Sequence, residues 1–180
     1  MCGIVGYIGT QAATEILLSG LEKLEYRGYD SAGIATIWEG ELNCVRAKGK
    51  LYNLRSKIEQ QENSSAIGIG HTRWATHGKP EEYNAHPHMD MAGRVAVVQN
   101  GIIENYYEIK EFLKEQNYKF YSETDTEVII NLIEYHYKHC ETIENISEKI
   151  EHSIYSAIQR LNGTYGLIIL NNIIYIKLLF

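Results

Sequence analysis

Cys2-Gly3-Ile4-Val5-Gly6-Tyr7-Ile8-Gly9 begins one residue after Met1. The run is short, β-branched and punctuated by glycine, which reads as a buried strand at the very start of the fold. Its repeated glycines predict that another element approaches this backbone closely. Once Met1 is removed, a thiol and a free α-amine share one residue at the mouth of that strand. An unperturbed α-amine titrates near about 8, so a neutral lone pair is available near physiological pH to take the thiol proton. That pairing is the chemistry of an N-terminal nucleophile. The plainer reading of Cys2 is a small buried hydrophobe opening a core strand.

Working outward, Thr14 to Tyr26 places Ile16, Leu17, Leu18, Leu21 and Leu24 at helical spacing and stops near Gly28. Gly33 to Trp38 and Leu42 to Arg46 read as a hairpin across Glu39-Gly40-Glu41. A short polar helix follows from Lys50 to Gln61. Strands are predicted at Ala66 to His71 and Arg94 to Gln99, with the irregular Thr72 to Gly93 between them. Asn105 to Gln116 is amphipathic about Ile109, Phe112 and Leu113. Thr124-Asp125-Thr126-Glu127 reads as an N-cap for a helix over Val128 to His136, and Ile146 to Leu161 as a third long helix. Tyr165 to Leu170 and Ile173 to Phe180 form a hairpin joined by Asn171-Asn172. Strands, then helices, then strands without strict alternation predict an α+β stack of sheets covered by helices.

Composition narrows the function classes. At 180 residues, 44% hydrophobic and 22% charged, the chain fits one ordinary globular domain. A chain of this length buries roughly 70% of its unfolded surface and requires no disulfide or metal staple. The net charge of -6 provides no attraction for nucleic acid or an anionic membrane. No apolar run approaches the roughly 18 residues needed to span a bilayer. Three scattered cysteines, Cys2, Cys44 and Cys140, without a signal peptide, read as reduced thiols in a cytoplasm.

Other segments carry residues suited to stabilising an oxyanion and to recognising the head of a free amino acid. Asn100-Gly101 follows a β run directly, and a side-chain amide with an unhindered glycine N–H are two donors for a tetrahedral oxyanion. The same dipeptide is also a common hairpin turn. In His71-Thr72-Arg73-Trp74-Ala75-Thr76-His77-Gly78, Arg73 presents a planar fork suited to a carboxylate. Thr76 and His77 add hydroxyl and imidazole, and Trp74 is placed to close over a ligand; a solvated loop with a packed tryptophan is the alternative. Asp125 either caps its helix or pairs with a ligand ammonium. His86-Pro87-His88-x-Asp90 has the look of a metal cluster but lacks a helical His pair and is read as loop histidines. Ser31 lacks a nucleophile elbow, and no phosphate-binding glycine motif is present.

Taken together, Cys2-Gly3-Ile4-Val5-Gly6, Glu25-Tyr26-Arg27-Gly28-Tyr29-Asp30-Ser31-Ala32-Gly33 and His71 to Gly78 resemble the class II glutamine amidotransferases. Asn84-Ala85-His86-Pro87-His88, Asn100-Gly101-Ile102-Ile103-Glu104-Asn105 and Ser122-Glu123-Thr124-Asp125-Thr126-Glu127 extend the match to about residue 170. Within them the strings are most similar to the isomerising glutamine–fructose-6-phosphate aminotransferase branch. The resemblance implies a four-layer αββα N-terminal-nucleophile hydrolase sandwich over residues 2–180, incomplete at its C-terminal end. It implies hydrolysis of glutamine's side-chain amide through a cysteine thioester, without cofactor or metal. By the same resemblance Cys2 is nucleophile and, through its amine, base, while Asn100 and Gly101 form the oxyanion hole. Arg73 holds the α-carboxylate of L-glutamine, Asp125 its α-amino group, and Trp74, Thr76 and His77 belong to the closing loop. The implied partner is a sugar-isomerase domain, absent here, that uses the ammonia to convert fructose 6-phosphate to glucosamine 6-phosphate, in an enzyme that is a homodimer when complete. A truncated remnant that binds glutamine or a partner without turnover is the alternative. Sandwich strands missing after Asn172 are expected to leave a sheet edge uncovered. Gln99 departs from the histidine usual before Asn-Gly in that family.

Overall fold

The structure, a computed structural model, describes residues 2–59, 63–75 and 78–179, with backbone alone for 176–179. Among these residues two antiparallel sheets of four strands face each other. The first sheet contains β1 (Gly3–Ile8), β2 (Ser31–Trp38), β3 (Glu41–Lys48) and β4 (Ile67–Arg73), in the order β1-β4-β2-β3. The second contains β5 (His88–Met89), β6 (Val95–Ile103), β7 (Gly163–Asn171) and β8 (Tyr175–Leu179), in chain order. Helices α1 (Ala13–Leu24) and α2 (Leu51–Ile58) cover the outer face of the first sheet. Helices α3 (Tyr106–Glu115), α4 (Glu127–His139) and α5 (Ile146–Ile158) cover the outer face of the second.

Strand alternation explains the four layers. In β6, Val95 and Val97 point to the helices, while Ala96 and Val98 point to the facing sheet. In β7, Leu167 and Ile169 join the helices, and Ile168 and Leu170 meet Ala35, Leu42 and Ile69 between the sheets. A strand apolar on both faces is what a central layer requires. On the other side, α1 seats Leu17 and Leu21, both fully buried, directly over Gly68 and Gly70 of β4. The predicted close approach to β1 is present as well, with Leu24 of α1 packed on Gly3 and Ile168 of β7 on Gly6.

Four expectations are corrected. The strand expected to stop at Gln99 continues through Asn100-Gly101 to Ile103, pairing with β7 throughout. The C-terminal hairpin is joined by three residues rather than two, because Asn171 pairs with Tyr175. The Asn171 side-chain carbonyl accepts from the Ile173 and Ile174 amides at 2.8 and 3.0 Å and closes this turn. The N-cap of α4 is Thr126, but its side chain makes no capping bond. The neighbouring hydroxyls and the Asp125 carboxylate are engaged elsewhere, at the candidate site. The predicted β2–β3 hairpin is present, with a turn of two residues rather than three: Glu41 belongs to β3 and pairs with Trp38 across Glu39-Gly40, both at positive φ. The predicted polar helix ends at Ile58, and Leu51, Leu54 and Ile58 bury an apolar stripe; residues 60–62 lie outside the described residues.

Candidate active site

Register brings the first elements of the site together. Gly3 of β1 pairs with Thr72 of β4, so Cys2 lies at the same end of the sheet as Arg73. The Cys2 Sγ accepts from the Trp74 amide at 3.4 Å and lies 3.7 Å from the Trp74 carbonyl. Burial raises the thiol pKa, while the Trp74 amide, the terminal ammonium and Arg73 oppose that rise. Burial outweighs the cationic neighbour, so the resting thiol keeps its proton until a base removes it.

The 73–75 turn is buttressed from below. The Gly28 backbone lies against the Arg73–Trp74 peptide so tightly that a Cβ there would meet the Arg73 carbonyl carbon at 2.6 Å and the Trp74 nitrogen at 2.7 Å. Asp30 Oδ2 accepts from the Ala75 amide at 2.6 Å, and the Asp30 amide donates to the Arg73 carbonyl at 3.0 Å. The exposed Trp74 ring packs edge-on to Tyr29 at 5.7 Å. Arg73 is buried, and its guanidinium donates to the carbonyls of Lys79 at 3.0 Å and Gly78 at 3.4 Å. Thr76 and His77, expected in the closing loop, lie outside the described residues.

A cavity at this end is lined by Cys2, Arg73, Trp74 and Gly101, and by His86, Gln99, Thr124, Asp125 and Thr126. Five of the sequence-predicted residues thus converge from four separate segments. Asn100 does not line the cavity; half-buried, it follows Val98 by two positions on the inter-sheet face of β6, the side on which the first sheet lies. Gly101 has φ of +141°, and a Cβ would run into the Thr164 carbonyl oxygen and meet Tyr165 Cα at 2.5 Å. Only glycine fits that backbone.

Asp125 is buried and is not a helix cap. Its Oδ2 accepts from the Ile103 amide at 2.8 Å and from Gln99 Nε2 at 3.4 Å. The Glu127 carboxylate instead ties down the loop before the helix, accepting from the Tyr121 and Ser122 amides at 2.8 and 2.7 Å and from the Ser122 hydroxyl at 2.6 Å. Gln99, Thr124, Thr126 and His86 were not read as site residues. Two alternating pairs, His86-x-His88 and Thr124-x-Thr126, carried the signal, since residues two apart on extended chains share a face.

Behind this wall the rings of His71, His86 and His88 pack together, the first pair tilted and the second edge-on, with centroids 4.2 and 4.8 Å apart. Their Nε2 atoms contact the Gln99 carbonyl at 2.9 Å, the Thr126 hydroxyl at 2.7 Å and the Thr124 hydroxyl at 2.9 Å. Burial is the main cause that lowers all three pKa values, to about 3 for His71 and His88, and also well below the usual range for His86. Asp90, the third member of the supposed metal cluster, accepts from the Arg94 and Val95 amides. Among the described residues no cluster of histidine, cysteine or carboxylate is arranged to hold a metal. No helix among them is long and apolar enough to cross a membrane.

A sequence model of the glutamine amidotransferase domain matches residues 55–173. The isomerizing glutamine–fructose-6-phosphate aminotransferase of Nostoc sp. is 67% identical over 167 residues, 93% of this chain and 26% of that protein. Its counterpart from Synechocystis sp. is 59% identical over 171 residues, 95% of this chain and 27% of that protein. The chain therefore spans about a quarter of the length of these relatives. Among solved structures, glutamine phosphoribosylpyrophosphate amidotransferase from B. subtilis superposes with a TM-score of 0.78 at 26% identity, covering 96% of this chain and 35% of that one. The expected αββα N-terminal-nucleophile sandwich agrees with that likeness. By a match extending over well more than half its length, this chain belongs to the glutamine amidotransferase domain family.

Proposed function

We propose that this domain hydrolyses the side-chain amide of L-glutamine to glutamate and ammonia, with Cys2 as nucleophile. The observation that carries the reading is the convergence of Cys2, Arg73, Gly101 and Asp125 on one cavity. An amino acid head group needs a cation for its carboxylate and an anion for its ammonium, and Arg73 and Asp125 supply the two. With Met1 removed, the Cys2 amine takes the thiol proton and the thiolate adds to the amide carbonyl. The resulting oxyanion is met by the Gly101 N–H at the cavity wall, and the Asn100 side-chain amide has to turn into the cavity from the adjoining face of β6 to supply a second donor, each of a kind worth roughly 3–4 kcal/mol. The proton carried by the amine passes to the leaving nitrogen, ammonia departs, and a thioester remains. Water, deprotonated by the same amine, cleaves the thioester to glutamate and restores the thiol.

The two aminotransferase relatives support a further assignment. In a longer protein, the ammonia would pass to a sugar-isomerase domain and aminate fructose 6-phosphate. Three unpaired cysteines, Cys2, Cys44 and Cys140, support a reducing cytoplasm as the setting. Ammonia release from glutamine by the purified chain, against Cys2→Ala, tests the central reading. Release by the parent alone is expected, and equal rates from the two would remove Cys2 from the nucleophile's role.

A further inference from the structure

We propose that His86, Thr126 and Gln99 form a positioning relay that orients Asp125 for the substrate's α-ammonium. This rests on the glutaminase reading above and names residues that reading leaves unused. The hydrogen-bond directions around the cavity are fixed by elimination. The Gln99 side-chain carbonyl only accepts, so the short contact between Thr126 Oγ1 and Gln99 Oε1 uses the threonine proton. With its proton committed there, Thr126 Oγ1 must accept from His86, 2.7 Å away, and His86 therefore carries its proton on Nε2. The Gln99 amide is thereby locked with its nitrogen toward Asp125 Oδ2, at 3.4 Å. The chain of donation runs His86 to Thr126 to Gln99 to Asp125.

A parallel chain holds the other flank of Asp125. The Ser122 hydroxyl donates to Glu127 at 2.6 Å, so Thr124 donates to Ser122 at 2.9 Å and accepts from His88 at 2.9 Å. Each of the residues on either side of Asp125 is thus pinned by one neutral histidine. The carboxylate is asymmetric as a result. Both of its hydrogen bonds fall on Oδ2, and Oδ1 has no hydrogen-bond partner among the described residues. A carboxylate oxygen without a donor, on a residue lining the cavity beside Cys2, is the acceptor a ligand ammonium requires. Gln99 supplies its N–H without adding charge. A residue acting this way tightens ammonium binding and leaves the bond-breaking steps alone, so its loss appears in KM and not in kcat.

The test compares glutamine with 4-carbamoylbutanoate, which is glutamine without its α-amino group, in steady-state ammonia release by the full chain. Thr126→Val and Gln99→Met, each close in shape, are expected to raise KM for glutamine about tenfold with kcat within about twofold. Neither is expected to change kcat/KM for the amine-free analogue, and Thr126→Ser is expected to return the glutamine KM to the parent value. Equal losses on both substrates, or no loss on either, would overturn the relay. Asp125→Asn separates the two layers of the argument. If it weakens glutamine selectively while Thr126→Val and Gln99→Met do not, the relay alone fails. If Asp125→Asn does not discriminate between the substrates, the ammonium role fails and the relay with it. The folded parent gives a second readout in nitrogen-detected imidazole spectra: His86 protonated on Nε2 supports the relay, and protonation on Nδ1 overturns it.

Discussion

Acidification from about pH 7.5 to about pH 5 probes the cluster of buried histidines behind the cavity. His71 and His88 are buried, and their pKa values are lowered from 6.5 to about 3. In the unfolded chain each binds a proton below about 6.5, whereas the folded form refuses it until about pH 3. The unfolded state therefore gains protons first, and stability present above pH 6.5 is lost as the pH falls toward 3. At about 1.4 kcal/mol per pH unit, each histidine costs about 2 kcal/mol at pH 5, or about 4 kcal/mol for the two. His86 is displaced in the same direction and adds to the loss. A whole domain has only about 5–15 kcal/mol of stability, so the urea midpoint should fall steeply across this window. The control is a double variant, His71→Gln with His88→Gln, which retains an N–H donor toward the Gln99 carbonyl and the Thr124 hydroxyl. Urea unfolding of both proteins at the two pH values should show an acid loss smaller by about 4 kcal/mol in the variant. Equal losses, or histidine resonances of the folded parent titrating near pH 6.5, would refute the reasoning.

Three further expectations come from particular contacts. Gly28→Ala forces a methyl into the Arg73–Trp74 peptide and should cost about 1–3 kcal/mol in urea unfolding, with loss of glutaminase activity as the turn moves off Cys2. Leu21→Ala empties a fully buried site between α1 and β4 and should cost about 2–5 kcal/mol by the same measurement, with the glutamine KM of the remaining folded protein unchanged. Arg73→Ala should raise the glutamine KM by about ten- to a hundredfold, since a charged hydrogen-bond partner is lost; an unchanged concentration dependence would take the α-carboxylate away from Arg73.

Much of the architecture was legible because apolar periodicity and layer structure have the same cause. Leu17 and Leu21 at helical spacing, and Val95 to Val98 without a polar break, reflect burial on one face and on two. The reading failed where the chain passes from core to cavity. Gln99-Asn100-Gly101 interrupts the apolar run, so β6 seemed to end at a point where it only changes surroundings. Thr126 and Asp125 look like helix caps because the local sequence offers the right oxygens, yet longer-range partners, Gln99, His86 and Ile103, claim them. Such conflicts between local pattern and fold gather where a structure is shaped for a ligand. Cys2, Arg73 and Asp125 were visible as chemistry, but their approach to one cavity depends on sheet register and on the α3–α4 connection. His86 was weighed as a metal ligand; its burial and its hydroxyl partner only emerge in three dimensions.

The most direct measurement is intact mass and peptide mapping of the chain, quenched in acid during turnover with glutamine. The account predicts a chain beginning at Cys2, with Met1 gone, and a γ-glutamyl group attached by thioester to that first residue. Turnover by protein that still carries Met1, or a glutamyl adduct found only at Cys44 or Cys140, would contradict it.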